Sequence, residues 1–355
     1  MNTTASVRMG SIDALRGLTV AAMLLVNNPG DWGHVYAPLL HAEWHGFTPT
    51  DLIFPLFLFI AGVSMAWSLA PRAVDPVLRP ALGRTLLQRA LRILVAGALL
   101  HVLAWWLFEL PAYRVWGVLQ RIALCVAVVG LLAIHARART HWLVLGGLLL
   151  GYTALLLGAD TLAPWHNPVS RVDTALFAPF LYKYDAITRL GHDPEGLLSS
   201  AGAIATTLLG LIAGSWLRAG RRGALAGLAL VGLGAGLLLA AVLPFNKNLW
   251  TPSYVLWTGG LSILALLLAH QLIDRWHWPA IGRRFGVNAI AAYLGSSVMA
   301  LVLIASGAWA ACFAFLLSRL PAAPQLASLV CALGFVGFWW CIVWLLDRRK
   351  VYFKI

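Results

Sequence analysis

Ten apolar runs, separated by short polar or charged clusters, order this chain. They fall at residues 14–28, 51–70, 90–108, 115–135, 142–162, 197–217, 224–243, 253–273, 286–306 and 326–346. Most approach the roughly 20 residues that a helix needs to cross the hydrocarbon core of a bilayer. The pattern predicts an all-α, polytopic membrane protein with about ten transmembrane helices, forming a single transmembrane domain over residues 1–355. The first run is short and can gain length from Met9 to Asp13 or from the Asn27-Asn28 end. No signal-peptide cleavage pattern follows it, so it reads as a retained helix.

Composition agrees with the pattern. Hydrophobic residues make up 61% and charged residues 11% of the chain, against roughly 25% charged in soluble domains, and the mean hydropathy is +0.81. Charge then orients the spans, because cytoplasmic loops collect lysine and arginine. With a cytoplasmic N-terminus, the inner side gathers Arg8, Arg16, the run Arg72 to Arg92, Arg137, Arg139, Arg218, Arg221, Arg222, Arg275, Arg283, Arg284, Arg348, Arg349, Lys350 and Lys354, which is 19 of the 26 basic residues. Arg114, Arg171, Lys183, Arg189, Lys247 and Arg319 fall outside, and Arg121 falls within a span. Both termini are therefore expected in the cytoplasm and the protein in the inner cell membrane. The net charge of +13 is spread over separate short loops, which argues against a nucleic-acid partner.

Three longer connections lie on the outer side, at residues 29–50, 163–196 and 307–325. Loops this long in a compact protein usually carry function. The stretch Gly307 to Leu320 is apolar, but counting it as another span would place the Arg348-Arg349-Lys350 tail outside. It reads as an extension of the ninth helix or as an interfacial helix. The glycine-rich stretch 223–236 reads as close helix packing. Cys125, Cys312, Cys331 and Cys341 lie in apolar stretches without CxxC spacing, and so resemble small hydrophobes rather than a disulfide framework or a metal site. No metal is expected.

The first outer loop brings His34, His41 and His45 together with Asp31, Glu43, Asp51, Trp32 and Trp44. Asp51 opens a run that must enter lipid. It can cap the helix there, or hold the His41 imidazole as a triad carboxylate does, which would make His41 a general base or an acyl acceptor. Arg121 stands about two turns inside a membrane helix, where a charge is costly and needs an anionic partner. That partner is either a phosphate, pyrophosphate or carboxylate ligand held bidentately, or a buried acid such as Asp51. Two further segments, Asp193-Pro-Glu195-Gly196 leading to Ser199-Ser200, and Asn246-Lys247-Asn248-Leu-Trp250-Thr251, combine polar groups with an aromatic ring. A sugar site uses that combination, and helix caps and turns use it too.

These same residues carry a resemblance. Ser11-Ile-Asp13-Ala-Leu-Arg16-Gly17, the Asn27 region, His41-Ala-Glu-Trp44-His-Gly46, Thr50-Asp51-Leu-Ile-Phe54-Pro55, Gly117-Val-Leu-Gln120-Arg121-Ile, Asp193-Pro-Glu195-Gly196, Asn246-Lys247-Asn248-Leu-Trp250-Thr251 and the tail from Arg348 to Ile355 resemble the heparan-α-glucosaminide N-acetyltransferase family, whose bacterial relatives are often labelled N-acetylglucosamine-related transporters. The resemblance implies transfer of acetyl from acetyl-CoA to the amine of a glucosamine-type acceptor across the membrane. It places the active histidine on His41 and its acidic partner on Asp51. It matches Asn27, Arg121, Asn246, Lys247 and Asn248 to motif positions near the cavity. Arg121, Asn246, Lys247 and Asn248 are expected at the donor, and Asn27, Trp44, Asp193, Glu195 and Trp250 at the acceptor. The expected partners are acetyl-CoA, an amino sugar, the lipid bilayer and, in a homodimer, a second copy of the chain. Set beside the animal enzyme, the chain is expected to lack its large lumenal domain and an extra preceding helix, and it carries His45 where that enzyme has asparagine. The rival reading is an amino-sugar transporter, which would show repeat symmetry and paired broken helices. Neither is evident in the sequence.

Overall fold

The computed structural model describes residues 9–353. Arg8, Lys354 and Ile355, used above for charge placement and the family resemblance, lie outside the described residues. The chain forms helices α1 (Gly10–Asn27), α2 (Ile53–Ser68), α3 (Arg79–Leu107), α4 (Val118–His135), α5 (Ala138–Leu157), α6 (Pro168–Phe177), α7 (Ser200–Arg218), α8 (Arg222–Ala240), α9 (Pro252–Ala269), α10 (Arg283–Val287), α11 (Ala289–Ala305), α12 (Ala308–Arg319) and α13 (Pro324–Arg348). Among the described residues nine helical segments are long and apolar enough to cross a membrane, and the pair α11–α12 makes a tenth if counted as one broken span. The described residues are all-α apart from one antiparallel hairpin, β1 (Lys183–Asp185) with β2 (Leu190–His192).

Prolines set several of the starts. Pro80, Pro168, Pro252 and Pro324 occupy first-turn positions of their helices, where no N–H partner is needed and φ is already helical. The largest departure from the predicted boundaries is α3, which begins at Arg79 rather than near residue 90. Nothing between residues 81 and 89 breaks a helix, and arginine stems can follow a helix out to the headgroup level.

The centre of the bundle is the α2–α7 pair. A Cβ on Gly62 would stand 1.9 Å from the Thr207 carbonyl oxygen, and one on Gly210 would stand 2.0 Å from that of Phe59, so the two backbones touch. Hydroxyls on α7 bond back into their own helix, Thr206 to Gly202 and Thr207 to Ala203, so neither hydroxyl is idle in this tight seam. Glycines of the 223–236 stretch behave less uniformly than expected. Gly232 and Gly236, one turn apart, approach α9 closely, whereas Gly223, Gly227 and Gly234 meet nothing. The outer helices present Leu99, Trp106, Leu143, Leu150, Leu230 and Leu238 to the surroundings, and an apolar exterior of this kind requires lipid.

The α11–α12 pair bends by 77° at Gly307, whose φ of +74° lies in the left-handed region that glycine adopts without steric cost. No second bent pair is found among the described residues. At one end of the bundle Arg16 bonds Ser64 Oγ and the Gly286 carbonyl, Ser11 bonds Asp274, and Arg283 meets Asp347. The opposite end gathers residues 29–50, 163–196 and 244–251.

Candidate active site

Thr48, Pro49 and Asp51 start the second span. Thr48 and Asp51 form a reciprocal capping box, each side chain bonded to the other's backbone N–H. Such a box satisfies two orphan donors at a helix start. Asp51 does more than cap. Its Oδ2 accepts from the backbone N–H of Ala42 and Thr48 and from Thr48 Oγ1, at 3.0–3.1 Å, while Oδ1 lies 2.7 Å from His41 Nδ1. The two readings of Asp51, cap and imidazole holder, are both satisfied, one by each carboxylate oxygen. An ionised Asp51 can only accept, so Nδ1 carries the proton and Nε2 keeps its lone pair.

A second histidine–aspartate pair lies in the same loop, His34 with Asp31 at 2.6 Å. Exposure separates the two. The Asp31 side chain is 40% exposed and that of Asp51 1%, so only the His41 pair has a fixed acid in a low-dielectric seat, where electrostatic orientation is strong.

Lys247 approaches His41 from the 244–251 turn. Its Nζ lies 2.9 Å from Nε2 and 3.2 Å from Nδ1. An in-plane hydrogen bond to one ring nitrogen would leave the other about 5 Å away, so the ammonium rests against the face of the ring and the Nε2 lone-pair direction stays open. Burial lowers the Lys247 pKa below the ordinary lysine value, against the opposing charges of Glu195 and Asp51. Asn246 shapes the turn by accepting from the Leu249 N–H at 2.8 Å, and its Nδ2 faces His45 Nδ1 at 3.4 Å. Burial lowers the pKa of His45. Asn248 is half-buried in the same turn.

Arg121 is fully buried in the first turn of α4. Its Nη2 bonds Ser199 Oγ at 2.5 Å and the Gly196 carbonyl at 3.2 Å, and its guanidinium lies 4.9 Å over the Trp250 ring. Nε and Nη1 have no partner. The suggested ion pair with Asp51 does not form. Trp250 is itself fully buried, bonded to Thr206 Oγ1 and packed edge-on against Phe54 and Tyr254. It serves as the floor under Arg121.

Asp193 and Glu195 converge on Arg114. Arg114 holds both Asp193 oxygens, at 2.6 and 2.9 Å, and Glu195 Oε2 at 2.6 Å, and it also stacks on Tyr182. Burial alone would raise the Glu195 carboxyl, but Arg114, Arg121 and Lys247 outweigh it and hold it below the usual carboxylate range. Trp44 donates to the Leu162 carbonyl and meets His192 edge-on at 5.3 Å, which joins the first outer loop to the second. Asn27 ends α1 and is exposed.

Several members of this end went unmarked in the sequence. Arg114 registered there only as a loop cation. Tyr254 donates to the Asp51 carbonyl at 2.5 Å and so fixes the cap from below. Asp173 is fully buried, accepts from the Leu197 N–H through Oδ1, and leaves Oδ2 unpartnered. Burial and the nearby Asp193 push its pKa up to about 6. No pattern of short-range spacing marks any of these three. Among the described residues no group of three or more histidine, cysteine or acidic side chains is placed to hold a metal ion.

The comparisons with known proteins bear on this arrangement. A family model described as heparan-alpha-glucosaminide N-acetyltransferase, catalytic, matches residues 8–181. Over those residues the chain is similar to this family. The match takes in His41, Asp51 and Arg121. The chain is 26% identical to the Homo sapiens heparan-alpha-glucosaminide N-acetyltransferase, across 82% of this chain and 53% of that protein. The Mus musculus protein of the same name is 25% identical, across 82% and 54%. The chain thus spans about half the length of the curated relatives it matches. The similarity to these heparan-alpha-glucosaminide N-acetyltransferases extends past the family match into the part that carries Asp193, Glu195 and the Lys247 turn.

Proposed function

We propose that this protein is a transmembrane N-acetyltransferase that moves acetyl from acetyl-CoA to the amine of an amino sugar, a glucosamine-type acceptor. The observation that carries the reading is the 2.7 Å contact between His41 Nδ1 and the buried Asp51 carboxylate, which leaves Nε2 as base or nucleophile. The family match over residues 8–181 and the names of the two relatives support the reaction class.

Two routes use the same atoms. In the first, Nε2 attacks the thioester carbonyl, the C–S bond breaks as CoA thiolate leaves, and the amine then displaces the imidazole from the acetyl group. In the second, Nε2 removes a proton from the amine as it attacks the thioester directly, and the C–S bond breaks as CoA leaves and takes that proton from the imidazolium to depart as the thiol. In both routes Asp51 stabilises the imidazolium and fixes the ring. Lys247, close to Nε2, is positioned to stabilise the oxyanion that develops on the carbonyl. Arg121 offers its two unpartnered nitrogens, Nε and Nη1, to an anionic group of the donor. Asn246 and Asn248 line the donor side, while Asn27, Trp44, Asp193, Glu195 and Trp250 shape the acceptor side, Asp193 and Trp250 by positioning their neighbours. The site end faces outward, with both termini in the cytoplasm of an inner-membrane protein. A homodimer is compatible with this arrangement.

The deciding measurement is release of CoA thiol by the purified full chain in nanodiscs, with and without glucosamine. Release that depends on acceptor supports the proposal, and an acetylated His41 in a quench without acceptor selects the first route. No release under either condition, together with amino-sugar uptake into proteoliposomes, sinks it in favour of transport.

A further inference from the structure

Read as sequence, the four cysteines are unrelated small hydrophobes. The fold brings two of them together: Cys312 Sγ on α12 lies 3.6 Å from Cys331 Sγ on α13. The sulfurs of a disulfide are about 2.05 Å apart, so side-chain rotation of roughly 1.5 Å closes the gap. Cys312 is exposed and Cys331 buried, which gives one thiol access to an oxidant and shelters the other.

The surroundings give such a bond something to hold. None of the twelve residues of α12 is buried, and its hold on α13 rests on half-buried side chains such as Trp309, edge-on to Phe335. Yet the α12–α13 pair is the seat for the start of the first outer loop. Trp309 Nε1 donates to the Pro29 carbonyl at 2.9 Å, Gly30 N–H donates to the Ser328 carbonyl, and Asp31 N–H to Ser328 Oγ. The His34 ring stacks on Phe313. A Cβ on Gly30 would stand 2.8 Å from Cys331 Cβ, so the loop backbone lies directly on the thiol-bearing helix.

We propose that Cys312 and Cys331 are a redox pair that closes to an intramolecular disulfide and clamps α12 to α13 beneath residues 29–34. The oxidant is a disulfide-bearing thiol compound or protein. Cys312 thiolate attacks the oxidant's disulfide and expels one of its thiols. Cys331 thiolate then attacks Cys312 Sγ in the mixed disulfide and expels the second. Two protein S–H bonds and one oxidant S–S bond become one protein S–S bond and two oxidant S–H bonds, with both electrons passing to the oxidant. The outward orientation proposed above would present Cys312 to a compartment where such oxidants persist. The bond itself depends neither on that orientation nor on acetyl transfer.

The test uses the purified full chain in detergent, reduced or treated with oxidised glutathione, then denatured and alkylated with a maleimide. The expected result is four adducts when reduced and two after oxidation, with a peptide linking Cys312 to Cys331. The thermal midpoint should be higher in the oxidised form. Cys312→Ser, at an exposed position, should keep three adducts after oxidation and lose the shift, while Cys341→Ser should keep both the link and the shift. Four adducts after oxidation would overturn the proposal, and so would a dimer joined through Cys312. Because the readout is mass and thermal midpoint, a failure here is distinct from a failure of acetyl transfer.

Discussion

Lys247 Nζ sits 2.9 Å from His41 Nε2 on the ring face, so the lysine borders that nitrogen without occupying its lone pair. Under the proposed reaction, a group in that position would act on charge that develops only as the thioester carbonyl is attacked. Lys247→Met should therefore lower kcat by on the order of a hundredfold, the usual cost of removing one oxyanion donor, with little change in KM. Steady-state kinetics on nanodisc-embedded protein checks this. A raised KM at normal kcat would assign Lys247 to donor binding instead.

His41→Ala should abolish transfer while the protein stays folded, because the side chain is largely outside the core, 39% exposed. Asp51→Asn should lower kcat by about a hundredfold or more, by loss of the tautomer-fixing carboxylate. His34→Ala removes the look-alike pair and should retain transfer. The catalytic assignment fails if His34→Ala is inactive and His41→Ala is not.

Arg121→Lys keeps one charge and loses the planar fork. Weaker CoA binding at unchanged thermal midpoint is expected, measured by calorimetry on the detergent-solubilised protein. If affinity holds and the midpoint falls, the guanidinium is only a brace between Ser199, Gly196 and Trp250.

Asp173 gives a pH signature. Its carboxyl has a pKa of about 6 in the folded protein against about 4 when unfolded, so the folded state binds the proton more tightly. The stability contributed by that proton is complete below about pH 4 and is lost as pH rises through about 6. Asp173→Asn should flatten the fall in thermal midpoint between about pH 4 and 6. A slope unchanged from wild type would show that another group titrates.

The proposed orientation rests on the placement of 19 of the 26 basic residues. In a cysteine-free background, Val35→Cys and Phe180→Cys should react with an impermeant maleimide from outside intact cells, and Asp75→Cys and Gly220→Cys should not. Labelling at position 75 would reverse the topology.

The spans were legible because lipid selects for apolar runs of a fixed length, and each run from residue 14 to residue 346 meets a helix. The His41–Asp51 contact was legible for a related reason: Asp51 is a carboxylate where the chain must enter lipid, and few roles justify one there. What escaped was tertiary. Arg114 finds its acids 79 and 81 residues away. Arg121 turned from the suggested Asp51 to Ser199 and Gly196, neighbours that only the α4–α7 packing supplies. The β1–β2 hairpin has three-residue strands, too short to show alternation, and is held by Thr174 bonding Gly191. Cys312 and Cys331 meet because the chain folds back between α12 and α13, a reversal with no signature at either cysteine.

The double duty of Asp51 makes position 51 unusually intolerant in any mutational scan. One oxygen orients the imidazole and the other closes the cap, so the two demands converge on a single short carboxylate. Glutamate keeps the charge but reaches too far for the capping geometry, and asparagine turns one acceptor into a donor that must face either the ring or the backbone N–H groups. Revertants of an Asp51 variant should therefore arise at residue 51 itself, because no second-site change restores both oxygens.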